Sequence, residues 1–278
     1  GFFLLHNAED GQSVFVDARE KAPSMADRDM YLDENGDVLR TASLNGPLAS
    51  GIPGLPAALH HVANNHGSMP LYKLLEPAIR LARDGFPAYE RLITALNVAK
   101  KSRTLSPKFK AVFMPNDQLP EVGQLIKQPE LAKTLEIIAS NGHDGFYSSF
   151  FTQKMIDEAR QDGSIWLADD FKNYSVVERE PIKVNFLGAQ LTTAPPPSSG
   201  GTTIATILNI ISEFDFIQMD ISTRTHLVVE SMRRAYRDRA FFLGDPDFVD
   251  VPIKKLTSKE HASILAQSID MNAATPIH

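Results

Sequence analysis

The chain has 278 residues, 43% apolar and 22% charged, a globular composition that excludes a disordered, fibrous or collagen-like protein. Lys and Arg number 28 against 34 Asp and Glu, and the formal charge of −6 has the wrong sign for a nucleic-acid binder or a polybasic membrane-surface protein. Cysteine is absent, which excludes disulfides, thiolate nucleophiles, iron–sulfur clusters and cysteine zinc sites, and no apolar run approaches the roughly 18 residues of a membrane span.

The N-terminus reads as a β-hairpin. Phe2 to Asn7 is apolar, Ala8 to Gln12 holds an Asp-Gly turn signal, and Ser13 to Arg19 alternates between two faces. In this reading Arg19 ends the second strand on the same face as Asp17, and Pro23 helps to terminate it. Asp33 to Asp37 is a turn. Ser50-Gly51-Ile52-Pro53-Gly54 is a punctuated loop ahead of a helix over 55–65. A second helix spans 71–83, with Leu71, Leu74, Leu75, Ala78, Ile79 and Ala82 at helical spacing, Pro77 inside it and Gly85 as its stop.

Residues 91–113 read as a helix followed by a basic loop containing Pro107. Pro129 opens a helix that turns Leu131, Leu135 and Ile138 inward and ends at Gly142. An amphipathic helix over 150–161 stops at Gly163. Strands over 182–186 and 189–194 flank Leu187-Gly188. The run Pro195-Pro196-Pro197-Ser198-Ser199-Gly200-Gly201 cannot continue a central strand; its serines can cap a helix over 201–212. The most periodic helix covers 223–242 and meets a Gly244-Asp245-Pro246-Asp247 turn, and a last helix covers 258–268. Without repeats or a low-complexity linker, residues 1–278 read as a single α+β domain piece, lacking strict strand–helix alternation.

The residues by themselves supply no self-sufficient catalytic set. There is no Gly-x-Ser-x-Gly elbow, P-loop or Gly-x-Gly-x-x-Gly. His60, His61 and His66 lack an acidic partner at zinc-site spacing. Asp245 and Asp247 fit a cation or a helix-terminating turn. Arg233, Arg234, Arg237 and Arg239, interleaved with Glu230 and Asp238, fit a salt-bridged helix face. The Pro195–Gly201 run fits an anion-facing wall or a stiff connector. Arg19 stands out, because a planar fork at a strand end can grip a carboxylate with two hydrogen bonds; an ion pair with Asp17 or Glu20 competes for it.

Taken together, several blocks resemble the γ-glutamyltranspeptidases (glutathione hydrolases), in that family's order. They are Asp17-Ala18-Arg19-Glu20-Lys21-Ala22-Pro23 with Asp27 to Asp33, Leu48 to Gly54, Leu81 to Phe86, Pro195 to Gly201, Tyr236 to Arg239, and Leu243 to Val249. The resemblance implies an N-terminal-nucleophile hydrolase fold, an αββα sandwich of which this chain is the large-subunit part. It implies a precursor that cuts itself and exposes an N-terminal threonine on a small subunit. That threonine, with its own amino group as base, takes the γ-glutamyl group as an acyl-enzyme and passes it to water or to an amino acid. It implies that Arg19 binds the substrate α-carboxylate.

Neither Thr192-Thr193 nor Thr202-Thr203 matches the nucleophile segment. The expectation is therefore a large subunit, short at its N-terminus, with no catalytic residue of its own. Its partners are then the small catalytic subunit, glutathione and other γ-glutamyl compounds, and amino-acid or peptide acceptors. The resemblance implies no metal or organic cofactor, and a periplasmic or secreted bacterial location. Two alternatives remain open on the residues: a cephalosporin- or glutaryl-type acylase of the same fold, and a non-catalytic binding or scaffold protein.

Overall fold

A computed structural model describes residues 1–276. In chain order it has strands β1 (Phe2–His6) and β2 (Ser13–Asp17), helices α1 (Leu55–Asn65) and α2 (Leu71–Asp84), strand β3 (Phe86–Pro87), helices α3 (Glu90–Ser102) and α4 (Pro107–Phe113), and strand β4 (Leu125–Ile126). Helices α5 (Pro129–Tyr147), α6 (Phe150–Gln161) and α7 (Ala168–Lys172) follow, then strands β5 (Val177–Arg179), β6 (Ile182–Phe186) and β7 (Ala189–Thr193). Helices α8 (Ser199–Ile211), α9 (Ile221–Phe242), α10 (Ile253–Leu256) and α11 (Lys259–Gln267) complete the order. The mixture of helices with small antiparallel sheets is α+β, as expected.

The contacts divide the chain into two compact units, one of Gly1 with Ala18–Val177 and one of Phe2–Asp17 with Glu178–His278. The first is helical. Its core joins Ile52, Ala57, Leu71, Leu75, Ile138, Phe146, Tyr147, Ile156, Phe171 and Tyr174. Helix α2 buries Leu71, Leu75 and Ala82, and Pro77 sits inside it, forgoing one backbone donor. In α5 the buried positions are Ala132, Ile138, Gly145, Phe146 and Tyr147; of the expected inward set Ile138 is buried and Leu135 packs partly buried on the core, whereas Leu131 is exposed.

Two helix ends in this unit differ from the sequence reading. Gly142 does leave helical geometry (φ 59°, ψ −133°), but the chain re-enters the helix and continues to Tyr147. A Cβ on Gly142 would lie 2.5 Å from the His60 ring, so the position demands glycine for both conformation and space. The expected basic loop at Pro107 is helix α4. Ser106 Oγ accepts from the Phe109 amide at 3.1 Å and Pro107 occupies the first turn, a start signal rather than a break.

The second unit carries the N-terminal hairpin, with Phe2 opposite Asp17 and His6 opposite Ser13. Its sheet order is β1-β2-β5. The second hairpin, β6–β7, turns through Leu187 (φ 48°) and Gly188 (φ 81°), the positive pair a tight two-residue turn requires. Ile182 and Val184 pack on Ala205 of α8. Helix α8 starts at Ser199, two residues earlier than expected, and Ser198 forms no side-chain cap. Two of its polar side chains reach backbone outside the helix: Thr206 Oγ1 donates to Leu256 O at 2.9 Å and Asn209 Nδ2 to Thr257 O at 2.8 Å.

Candidate functional site

Strand β2 ends at Asp17, so Arg19 lies two residues beyond the ladder and does not close it as expected. The reason is the fate of its carbonyl: Arg19 O accepts the Tyr174 hydroxyl at 2.7 Å in place of a strand neighbour. The residues around it are pinned as well. Ala18 N donates to Gly1 O at 3.0 Å, and Lys21 and Ile52 exchange backbone bonds of 3.1 and 2.8 Å.

Glycines allow these segments to lie so close. A Cβ on Gly51 would sit 2.9 Å from Lys21 O; one on Gly54 would sit 2.0 Å from the Tyr174 hydroxyl and 2.3 Å from Ala18 O. Two sequence blocks, 17–23 and 48–54, are thereby joined by contact. Gly54→Ala is expected to lower stability by about 2 kcal/mol, because a carbonyl and a buried phenol cannot both retreat; thermal melting checks it.

With its backbone fixed, the Arg19 side chain is about half exposed (51%) and its Nε donates to Glu20 Oε1 at 3.0 Å. Of the two ion-pair partners weighed from the sequence, Glu20 is thus engaged. Partial burial pushes the Glu20 carboxyl up, but a bond to its own backbone amide and the Arg19 guanidinium outweigh that and hold it below the usual range. Asp17 takes Arg179 Nε at 2.9 Å, and the same guanidinium reaches both oxygens of Asp247 at 3.0 Å. Burial works against the Arg179 charge, and these two carboxylates more than compensate, raising its pKa.

Against the Arg19 segment packs an aromatic column that sequence reasoning missed. Tyr147 and Tyr174 stack at 5.4 Å with 6° between their planes, and His143 stacks on Tyr147 at 4.5 Å. Tyr147 donates to Pro53 O at 2.6 Å and accepts from Ala57 N at 3.3 Å. Burial pushes its phenol pKa up, so the hydroxyl stays protonated as a donor. Lys21 Nζ lies 5.5 Å from the centre of the Tyr174 ring. Of its members only His143 adjoins a predicted helix end, at Gly142; Tyr147 and Tyr174 lie outside the predicted elements, so the sequence offers no signal that joins them.

The other candidates resolve as follows. His60 and His61 pair with Asn64 and Asn65 of their own helix, at 2.8 and 3.1 Å, and with His143 they line a cavity of about 330 Å³. Asp247 belongs to a turn, its amide donating to Asp245 Oδ1 at 3.0 Å, and its carboxylate belongs to Arg179. The arginine-rich face of α9 is salt-bridged as expected, yet Glu230, Arg234 and Asp238 are buried rather than solvated. In the Pro195–Gly201 run, Gly201 lies against the end of β7, where a Cβ would fall 1.9 Å from Ala194 O. Thr203 Oγ1 donates to Ser199 O at 2.7 Å, and Thr202 is 2% exposed, so neither is presented as a nucleophile.

Comparison with known proteins agrees with this architecture. The chain is 38% identical to the glutathione hydrolase proenzyme of Escherichia coli (strain K12) over 279 residues, covering 99% of this chain and 48% of that protein. The chain therefore spans about half the length of the curated relatives it matches. It superposes on the crystal structure of Helicobacter pylori γ-glutamyltranspeptidase with a TM-score of 0.95 at 34% identity, covering 99% of this chain and 80% of that one. A cephalosporin acylase from Bacillus halodurans shares the fold, with a TM-score of 0.82 at 24% identity, covering 97% of this chain and 50% of that one. The γ-glutamyltranspeptidase family model matches residues 1–278, and the chain belongs to that family.

Proposed function

We propose that this chain is the large-subunit part of a γ-glutamyltranspeptidase that cleaves the γ-glutamyl amide of glutathione and related compounds. The observation that carries the reading is Arg19: a guanidinium half exposed at the end of a pinned backbone segment, inside the 17–23 block that resembles the family. A planar fork held this way suits the α-carboxylate of a γ-glutamyl donor. The nucleophile is then the N-terminal threonine of a companion small subunit from the same precursor. Its amino group takes the hydroxyl proton as the oxygen attacks the donor amide, the C–N bond breaks and the amine leaves with that proton, and water or an amino-acid amine then takes the acyl group from the ester, returning the threonine hydroxyl. A periplasmic or secreted location fits the bacterial relatives; among the described residues no helix is long and apolar enough to cross a membrane.

The test uses the complete protein. Its intact-mass spectrum is expected to show a second, smaller polypeptide beginning with threonine. The preparation is expected to hydrolyse γ-glutamyl-p-nitroanilide and to leave glutaryl-p-nitroanilide, which keeps the carboxylate and lacks the α-amino group, largely untouched. A single polypeptide without activity, or preference for the glutaryl donor, overturns the reading.

A further inference from the structure

We propose that Tyr174 is a positioning residue for the γ-glutamyl α-carboxylate, acting by fixing the backbone from which Arg19 reaches. The inference rests on the reading of Arg19 as the carboxylate contact and adds to it the group that sets where that contact stands.

Arg19 lies outside the strand ladder, so no neighbouring strand holds its carbonyl. The Tyr174 hydroxyl takes that place at 2.7 Å, across 155 residues of sequence. Tyr174 is itself immobilised on every side. It is 3% exposed, and its ring lies parallel to Tyr147 at 5.4 Å. Its amide donates to Phe171 O at 3.0 Å, and its carbonyl accepts from His143 Nε2 at 2.9 Å. Gly54 provides the space for the phenol to reach, since any side chain there would overlap the hydroxyl. A half-exposed arginine on an untethered segment would lose its aim; binding geometry tolerates displacements of only about 0.5 Å before affinity suffers. The hydroxyl of Tyr147, stacked beside Tyr174, is spent on Pro53 and Ala57 instead, which makes it a natural comparator.

The experiment uses the complete enzyme with two donors: γ-glutamyl-p-nitroanilide and 4-aminobutanoyl-p-nitroanilide, which keeps the amine and lacks the α-carboxylate. Tyr174→Phe, which preserves the ring stack, is expected to raise KM for the γ-glutamyl donor about fivefold with kcat within about twofold. KM for the carboxylate-free donor is expected to stay unchanged, and in an Arg19→Ala background the second substitution is expected to add nothing. Tyr147→Phe is expected to lower the melting temperature without moving KM. An equal rise for both donors, no rise for either, or a full effect that persists without Arg19 overturns the proposal. If Arg19→Ala itself leaves KM for the γ-glutamyl donor unchanged, the reading of Arg19 fails. If Arg19→Ala raises KM and Tyr174→Phe does not, only the role of Tyr174 fails.

Discussion

Arg19→Ala in the complete enzyme is expected to lower kcat/KM for γ-glutamyl donors by about two to three orders of magnitude. A hydrogen bond to a charged group contributes roughly 1.5–3 kcal/mol, and the guanidinium fork supplies two to one carboxylate. A combined loss of about 3–4 kcal/mol corresponds to that range of rate. Arg19→Lys keeps the charge but not the fork, so an intermediate loss is expected. Stability should change little, because the side chain is half exposed and its Glu20 partner is on the surface. A steady-state comparison of the three proteins checks this, and near-wild-type kcat/KM in the alanine variant removes Arg19 from the site.

Glu230→Gln is expected to destabilise the protein by about 3 kcal/mol, read from thermal or urea unfolding. The Glu230 carboxylate, 1% exposed, accepts from Arg234 Nη1 at 2.6 Å, from Thr275 N at 3.1 Å and from the Thr275 hydroxyl. The amide keeps the size but leaves the buried Arg234 guanidinium without its counter-charge. Arg234 retains Leu265 O at 3.1 Å and Ser268 Oγ at 2.7 Å, which holds the loss to the lower end of the range for broken buried pairs.

The pH dependence has a definite sign. Burial pushes the Glu230 carboxyl up, but Thr275 and Arg234 outweigh it and bring the pKa from 4.5 down to about 2. A carboxyl lowered on folding stabilises fully above its unfolded pKa and loses that contribution as pH falls through the folded one. The gap between wild type and variant should therefore be complete above about pH 4.5 and narrow toward pH 2.

The parts of the fold that could be read from the residues are those whose signals are local. Helices α1 and α6 begin and end where spacing, the Ser50–Gly54 loop and Gly163 place them, and α2 runs one residue past its expected end. The two hairpins follow from Asp10-Gly11 and Leu187-Gly188. What escaped was short or distant. Helices α7 and α10 have 5 and 4 residues, too few to establish a period. The two-residue strands β3 and β4 exist only because Phe86 finds Ile126. At the site, Arg19 was legible as a residue type in a block. Its support was not, because Tyr174 and Gly54 matter through atoms that meet only after folding. Arg179 escaped for the same reason, its partners Asp17 and Asp247 lying 162 and 68 residues away.

The division of the chain also bears on the order in which it becomes native during synthesis. Apart from Gly1, the helical unit is one uninterrupted stretch, Ala18–Val177, whereas the other unit is assembled from Phe2–Asp17 and everything after Glu178. The hairpin is translated ahead of the helical unit but has no third strand until β5 is made, and no Arg179 to neutralise Asp17. Closing that gap is a costly long-range step, whereas the helices need mostly local contacts. The hairpin, translated ahead of the helical unit, thus finds its partners only after that unit is made, and until then the exposed rim of β2 is a point where a nascent chain of this kind is open to mispairing.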